Sequence, residues 1–250
     1  MTVWLEAGLW GLLAGGTLVV GAAIAWLVDL PRLAVASVMA FGAGVLISAL
    51  AFDLVDEAEQ TGGLAPTVAG FLAGATTYVA ANLVLDRLGA RHRKRSGDQQ
   101  AREAEQPGSG AAIAVGALLD GVPESVVLGM SLLGGGGVGV PVLAAIAISN
   151  LPEGLSSASG MKRGGRSAAY VFGVWGGIAL ASGLAAMLGA LLLADTGPGT
   201  IAAINAVAAG AILAMVADTM IPEAFERTHV YAGLLATVGF ALAFTISRWG

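Results

Sequence analysis

Apolar stretches separated by short runs of charge, glycine or proline recur eight times along the chain, near 4–28, 33–56, 66–85, 111–133, 140–161, 168–193, 200–223 and 230–247. A helix needs about 20 predominantly apolar residues to cross a bilayer. The pattern therefore predicts an all-α integral membrane protein with eight transmembrane helices, forming a single domain over 1–250. The first stretch carries Glu6 and no basic residue ahead of its apolar run; it is also too long for a signal-peptide core, and reads as a retained span. One long hydrophilic stretch, 86–110, joins helices 3 and 4. Asp86, the Arg91–Arg95 run and a tail rich in Gln, Glu, Gly and Ser predict a disordered cytoplasmic loop near anionic headgroups. A metal-sensing role for it would rest on His92 alone.

Charge adds a direction. Eleven of the twelve Lys and Arg follow odd-numbered spans: Arg32; Arg87, Arg91, Arg93, Lys94, Arg95 and Arg102; Lys162, Arg163 and Arg166; and Arg227. Only Arg248 falls on the other side, and the connections 57–64, 134–139 and 194–199 have no Lys or Arg. Basic residues in short loops mark the cytoplasmic face, so both termini are expected outside, in a multi-pass protein of the cell membrane.

Composition agrees. The chain is 56% hydrophobic and 12% charged, against about 25% charged residues in a typical soluble domain. A net charge of −5 argues against a nucleic-acid partner, whose phosphates call for a basic face. With no cysteine, thiolate metal sites, disulfides and cysteine nucleophiles are excluded. Glycines such as Gly42, Gly44, Gly173, Gly176, Gly177 and Gly183 read as close helix packing, which permits a homodimer without requiring one.

The candidate chemistry lies in acids at membrane depth, which are expensive there and usually functional. Asp53 falls in span 2, Asp120 and Glu124 in span 4, Glu153 in span 5, and Asp218 and Glu223 in span 7, while no span holds Lys, Arg or His. Such acids must be protonated, wetted or matched by a bound cation. Asp120 and Glu124 are one turn apart and share a face; Ser149, Asn150 and Glu153 do likewise on span 5. At ~1.5 Å per residue, Asp120 lies ~14 Å from the inner end of span 4, and Glu153 and Asn150 lie ~12 and ~17 Å from that of span 5. The two stripes are level. A proline precedes the glutamate in both Asp120-Gly121-Val122-Pro123-Glu124-Ser125 and Ser149-Asn150-Leu151-Pro152-Glu153-Gly154. Proline frees carbonyls, here those of Leu119 and Ile148, and interrupted helices of this kind build ion sites in transporters. Pro222-Glu223 after Asp218, and Asp56-Glu57 after Asp53, repeat the theme.

These motifs resemble those of the ZIP family of divalent-metal transporters, whose paired Pro-Glu-Gly-type motifs on helices 4 and 5 form a binuclear metal centre. Ser149 to Leu155 is the strongest stretch, supported by Asp120 to Ser125 and Met215 to Ala224. The resemblance extends over the whole chain. It implies a 3+2+3 arrangement in which spans 1–3 and 6–8 are inverted repeats around the span 4–5 pair. The chain departs from the family in having Asp120 where a histidine is usual, Gly121 where Asn or Asp is frequent, and no Asp or Glu in 168–193.

The expected function is transport of divalent cations of the Zn, Mn, Fe and Cd class into the cytoplasm, the ion being substrate and no prosthetic group being needed. Cations would pass the 57–59 rim and Asp53, bind Asp120, Glu124, Asn150 and Glu153 with Ser149 beside them, and leave past Asp218 and Glu223. An all-oxygen site shifts preference toward Mn²⁺ or Fe²⁺, although zinc also accepts carboxylate. A proton- or sodium-coupled carrier of a small solute is the alternative, weakened by the lack of a basic group within the spans. An intramembrane enzyme is the third reading. Without intramembrane histidine only an aspartyl dyad is open to it, requiring two carboxyls close enough to share a proton.

Overall fold

A computed structural model describes residues 1–133 and 138–249 of the chain. Residues 134–137 of the expected outer connection lie outside the described residues. Regular structure among those described is entirely helical, in eight rods: α1 (Val3–Leu27), α2 (Arg32–Gly62), α3 (Leu64–Ala90), α4 (Ser109–Ser131), α5 (Val140–Arg163), α6 (Ala168–Leu193), α7 (Pro198–Thr228) and α8 (Tyr231–Trp249). All but α5 are long and apolar enough to cross a membrane. Helix α5 falls short because Ser149, Asn150, Glu153, Ser156 and Ser157 occupy its middle, and it buries all five.

The bundle turns large apolar side chains outward and small ones inward. Leu13, Leu72, Leu180, Leu184, Leu192 and Leu234 are exposed, while Ala36, Ala43, Ala186, Ala206 and Ala209 are buried. That distribution is compatible with a multi-pass membrane protein, where lipid accepts the outer leucines and small residues let helices approach.

Four helix crossings share one local geometry. A Cβ on Gly44 of α2 would collide with the Ala236 carbonyl of α8, and one on Gly239 of α8 with the Phe41 carbonyl of α2. Each glycine thus receives the carbonyl of the residue three positions before its partner glycine. The same reciprocity joins Gly74 of α3 to Gly210 of α7, Gly21 of α1 to Gly154 of α5, and Gly129 of α4 to Gly189 of α6. The crossings map onto one another when α1 is exchanged with α6, α2 with α7, α3 with α8 and α4 with α5. Of the glycines read as packing residues, Gly42, Gly44 and Gly183 meet neighbours, but Gly173, Gly176 and Gly177 face open space.

Two expectations about the backbone change. Helices α4 and α5 run unbroken through Pro123 and Pro152, and a Cβ on Gly42 of α2 would press on the Pro152 ring. The irregular turns lie elsewhere, as π-helical stretches at Leu50–Val55 in α2, Asp86–Ala90 in α3 and Val216–Met220 in α7. Each contains one aspartate, Asp53, Asp86 or Asp218, and π turns of this kind frequently mark functional positions. Helices α2 and α7 also continue past their expected ends at 56 and 223, because polar α-helical turns, Asp56–Gly62 and Ile221–Thr228, follow the π turns.

The segment after α3 is the largest departure. Residues 91–108 fold back over the end of the bundle, bracketed by Gly89 (φ 101°) and Gly108 (φ 87°), both in the left-handed region that glycine adopts without strain. Arg93, Lys94, Ser96 and Gln100 are buried. This is a packed element and not the disordered loop that its composition suggests.

Candidate functional site

Helix α4 places Asp120 and Glu124 one turn apart, and α5 brings Glu153 toward them. All three are buried, as are Tyr78 and Asn82, themselves one turn apart on α3. Into this centre the 91–108 segment inserts two cations. Arg93, 1% exposed, donates from Nε to Asp120 Oδ2 at 3.0 Å and from Nη2 to Asp120 Oδ1 at 2.9 Å. It also donates to Asn82 Oδ1 at 2.7 Å and to the Tyr78 hydroxyl at 2.8 Å, and that hydroxyl donates to Asp120 Oδ1 at 2.7 Å. Burial works against the charged guanidinium, but Asp120 and Tyr78 outweigh it and hold Arg93 above the ordinary arginine value. Lys94 Nζ lies 2.7 Å from Glu153 Oε2 and 3.4 Å from Asp120 Oδ2.

The two cations are held differently. Arg93 makes the fork-to-carboxylate pairing that combines charge with directed hydrogen bonds. Lys94 is held by proximity of charge, for its ammonium makes no aligned hydrogen bond. Glu124 Oε1 and Glu153 Oε1 are likewise buried without a hydrogen-bond partner. Three carboxylates face two cations, and Glu124 has no ion-pair partner among the described residues. Its other side borders an apolar cavity with room for about one water, lined in part by Leu46, Leu50, Val127, Ile146 and Ile212.

Small residues make the seat for the inserted segment. A Cβ on Gly116 of α4 would meet Arg93 Cδ at 2.6 Å, and one on Gly160 of α5 would collide with the Arg95 carbonyl and the Gln100 side chain. Ser156 of α5 donates to the Lys94 carbonyl at 2.7 Å, and Gln100 Nε2 to the Ser157 carbonyl at 2.9 Å. Farther along, Glu103 accepts from Arg166 at 2.7 Å and from the Gly108 and Gly110 amides at 2.6 and 2.9 Å. Those bonds pull its carboxyl down to about 2.

The other expected site residues are dispersed. Glu223 of α7 is buried at the same end, accepting from the Ser96 amide at 3.0 Å and from the Ser96 hydroxyl, with the Ser156 hydroxyl 3.1 Å and Arg95 3.7 Å away. Asp218 is exposed and lines a pocket of about 250 Å³ with Asn82, Asp86, Arg91, Lys94 and Arg95. Asp53 sits beyond the centre, accepting from the Ser247 hydroxyl at 2.6 Å. At that far end a second pocket, of about 350 Å³, is lined by Glu57, Ser131, Thr196 and Asn205. Ser149 and Asn150 do not extend the carboxylate stripe: Ser149 donates to the Ile146 carbonyl on its own helix, and the Asn150 amide donates to the Ala14 carbonyl on α1. Among the described residues no three Asp, Glu or His side chains come close enough to hold a metal ion.

Sequence reasoning missed Tyr78, Asn82, Arg93, Lys94, Ser96, Gln100 and Ser156. Two signals were present: Tyr78 and Asn82 are polar residues at helical spacing inside a span, and several buried acids without a partner stood near one basic run. No protein-family model matches the chain, and no curated protein matches it.

Proposed function

We propose that the chain is a carrier of divalent transition-metal cations across the cell membrane, with Asp120, Glu124 and Glu153 as the core of the transported ion's site. The observation that carries this reading is the pair of buried, unpartnered oxygens on Glu124 and Glu153, on neighbouring helices between a pocket at each end of the bundle. Glu153 has Lys94 on its other oxygen, but Glu124 has no ion-pair partner among the described residues; a buried carboxylate in that state is costly, and a cation of hard-oxygen preference relieves it. Asn150 and Ser149 join the ion only if they release the carbonyls of Ala14 and Ile146. Asp53 lies on the route from the far end, and Asp218 and Glu223 on the route out.

The repeated crossings support a 3+2+3 arrangement. The exchange pairs each of α1–α3 with one of α6–α8 and α4 with α5, and each exchanged pair consists of one odd and one even helix, which run in opposite directions when successive spans alternate. Both termini are then outside, with the basic end in the cytoplasm.

Uptake into liposomes of Mn²⁺, Zn²⁺, Fe²⁺ and Cd²⁺ tests the reading. Uptake that is lost in Glu153→Ala and Asp120→Ala supports it, and a shift toward zinc in Asp120→His supports the oxygen-ligand argument. Absence of uptake of every cation under any gradient refutes it. One observation favours a second reading, a proton- or sodium-coupled carrier of an anionic solute: Arg93 and Lys94 supply the basic groups that the spans lack. That reading expects solute uptake and no stabilisation of the folded chain by divalent metal.

A further inference from the structure

We propose that the segment Arg91–Gln100 is a tethered counter-cation, an autoinhibitory plug whose Lys94 occupies the position of the transported ion and must withdraw before a divalent cation binds. The inference rests on the reading of Asp120, Glu124 and Glu153 as a cation site.

Lys94 Nζ stands between Glu153 at 2.7 Å and Asp120 at 3.4 Å, where a cation shared by α4 and α5 would sit. Both contacts are between charges, without an aligned hydrogen bond, so a divalent cation at the same point would satisfy the same two carboxylates. The seat is built rather than incidental. Gly116 and Gly160 leave room for Arg93 and for the backbone at Arg95, while Ser156 and Ser157 on α5 hold the segment through Lys94 and Gln100.

The attachments nearer the surface are ion pairs that water can reach: Arg32 with Asp98, Arg95 with Glu226, and Arg166 with Glu103. The Arg32–Asp98 pair, the most exposed of the three, is of the kind that contributes little and is screened by salt. The left-handed glycines Gly89 and Gly108 flank the segment as hinges. Withdrawal would turn the segment about these two glycines and break the buried Arg93–Asp120 pair.

Seated, the plug closes the centre from the basic end, and the apolar layer above Glu124 closes it from the other. If roughly 90% of molecules are seated, release raises the apparent affinity for a divalent cation about tenfold, because only the unplugged fraction binds.

The chain has no cysteine, so Ser96→Cys places a single thiol on the plug, buried while seated. In detergent-solubilised full-length protein, its rate of maleimide modification is compared with and without Mn²⁺. The same comparison is made in the added backgrounds Lys94→Gln, which removes the tethered charge, and Gly160→Ala, which obstructs the seat and keeps every charge. The expected result is slow modification without metal, acceleration about tenfold by Mn²⁺, and fast modification in both backgrounds irrespective of metal. Trypsin cleavage after Arg93 and Lys94 in the native chain, located by mass spectrometry, repeats the test should Ser96→Cys prevent folding.

Modification or cleavage at one rate in all conditions overturns the plug. So does Mn²⁺ uptake into liposomes that is equal in native and Lys94→Gln protein while the thiol stays protected, which leaves the carrier reading standing. Exposure of the thiol by Mn²⁺ in a protein that transports no divalent cation supports the plug and removes the carrier reading.

Discussion

Arg93 is divided among the Asp120 carboxylate, the Asn82 side-chain carbonyl and the Tyr78 hydroxyl, so its removal takes a donor from three polar groups at once. Breaking a buried pair by deleting one partner costs about 3–5 kcal/mol, whereas replacing both by apolar residues is often far milder. Arg93→Met is accordingly expected to lower thermal stability in detergent sharply. Arg93→Met with Asp120→Leu should recover much of the loss, and a double-mutant cycle measures the coupling. Additive losses would show that the pair does not act as a unit. Glu103 carries a pH dependence. Its hydrogen bonds from Arg166 and from the Gly108 and Gly110 amides depress its carboxyl to about 2, from an ordinary value of 4.5. A group depressed in the folded state stabilises above its unfolded value and loses that contribution as pH falls through the folded one. The stability difference between native protein and Glu103→Gln should therefore be present near neutral pH and close between pH 4.5 and about 2. A difference independent of pH would sink this account.

At the scale of the helix, glycine has two separate uses. At Gly239 the Phe41 carbonyl leaves no room for a side chain, while around Gly176 there is open space. Overpacking costs about 1–3 kcal/mol and can cost more where backbone must move; a glycine in an unobstructed helix is worse than alanine by roughly 1 kcal/mol. Gly239→Leu should lower the unfolding midpoint and broaden the size-exclusion profile. Gly176→Ala should leave the midpoint unchanged or raise it. The opposite ranking would mean that the α2–α8 crossing gives way or that the open face of α6 is covered. The existence and approximate extent of the eight helices were legible at this scale, since apolar length is a local property. The π turns were not. Pro123 and Pro152 looked like the irregular points, yet α4 and α5 absorb them within the helix, and the disrupted ladders coincide with Asp53, Asp86 and Asp218 instead.

For the whole molecule, the uneven distribution of Lys and Arg predicts sidedness. Because the chain has no cysteine, Glu105→Cys, exposed at the basic end, should be labelled in cells or vesicles by a membrane-impermeant maleimide only from the cytoplasmic side, and Asp195→Cys only from outside. The reverse labelling would invert the proposed direction of transport. The amino-acid sequence by itself determined what depends on neighbours along the chain: eight helices from apolar length, the clustering of Lys and Arg in particular connections, and the shared face of Asp120 and Glu124 on α4 from spacing. Tertiary structure decided the counter-charges and which side chains join these acids. Arg93 meets Asp120 across 27 residues, and the Asn150 amide turns to α1 across 136. No periodicity encodes such contacts, because they exist only when a hydrophilic segment, solvated and unpatterned by itself, finds a buried set of carboxylates whose desolvation it relieves.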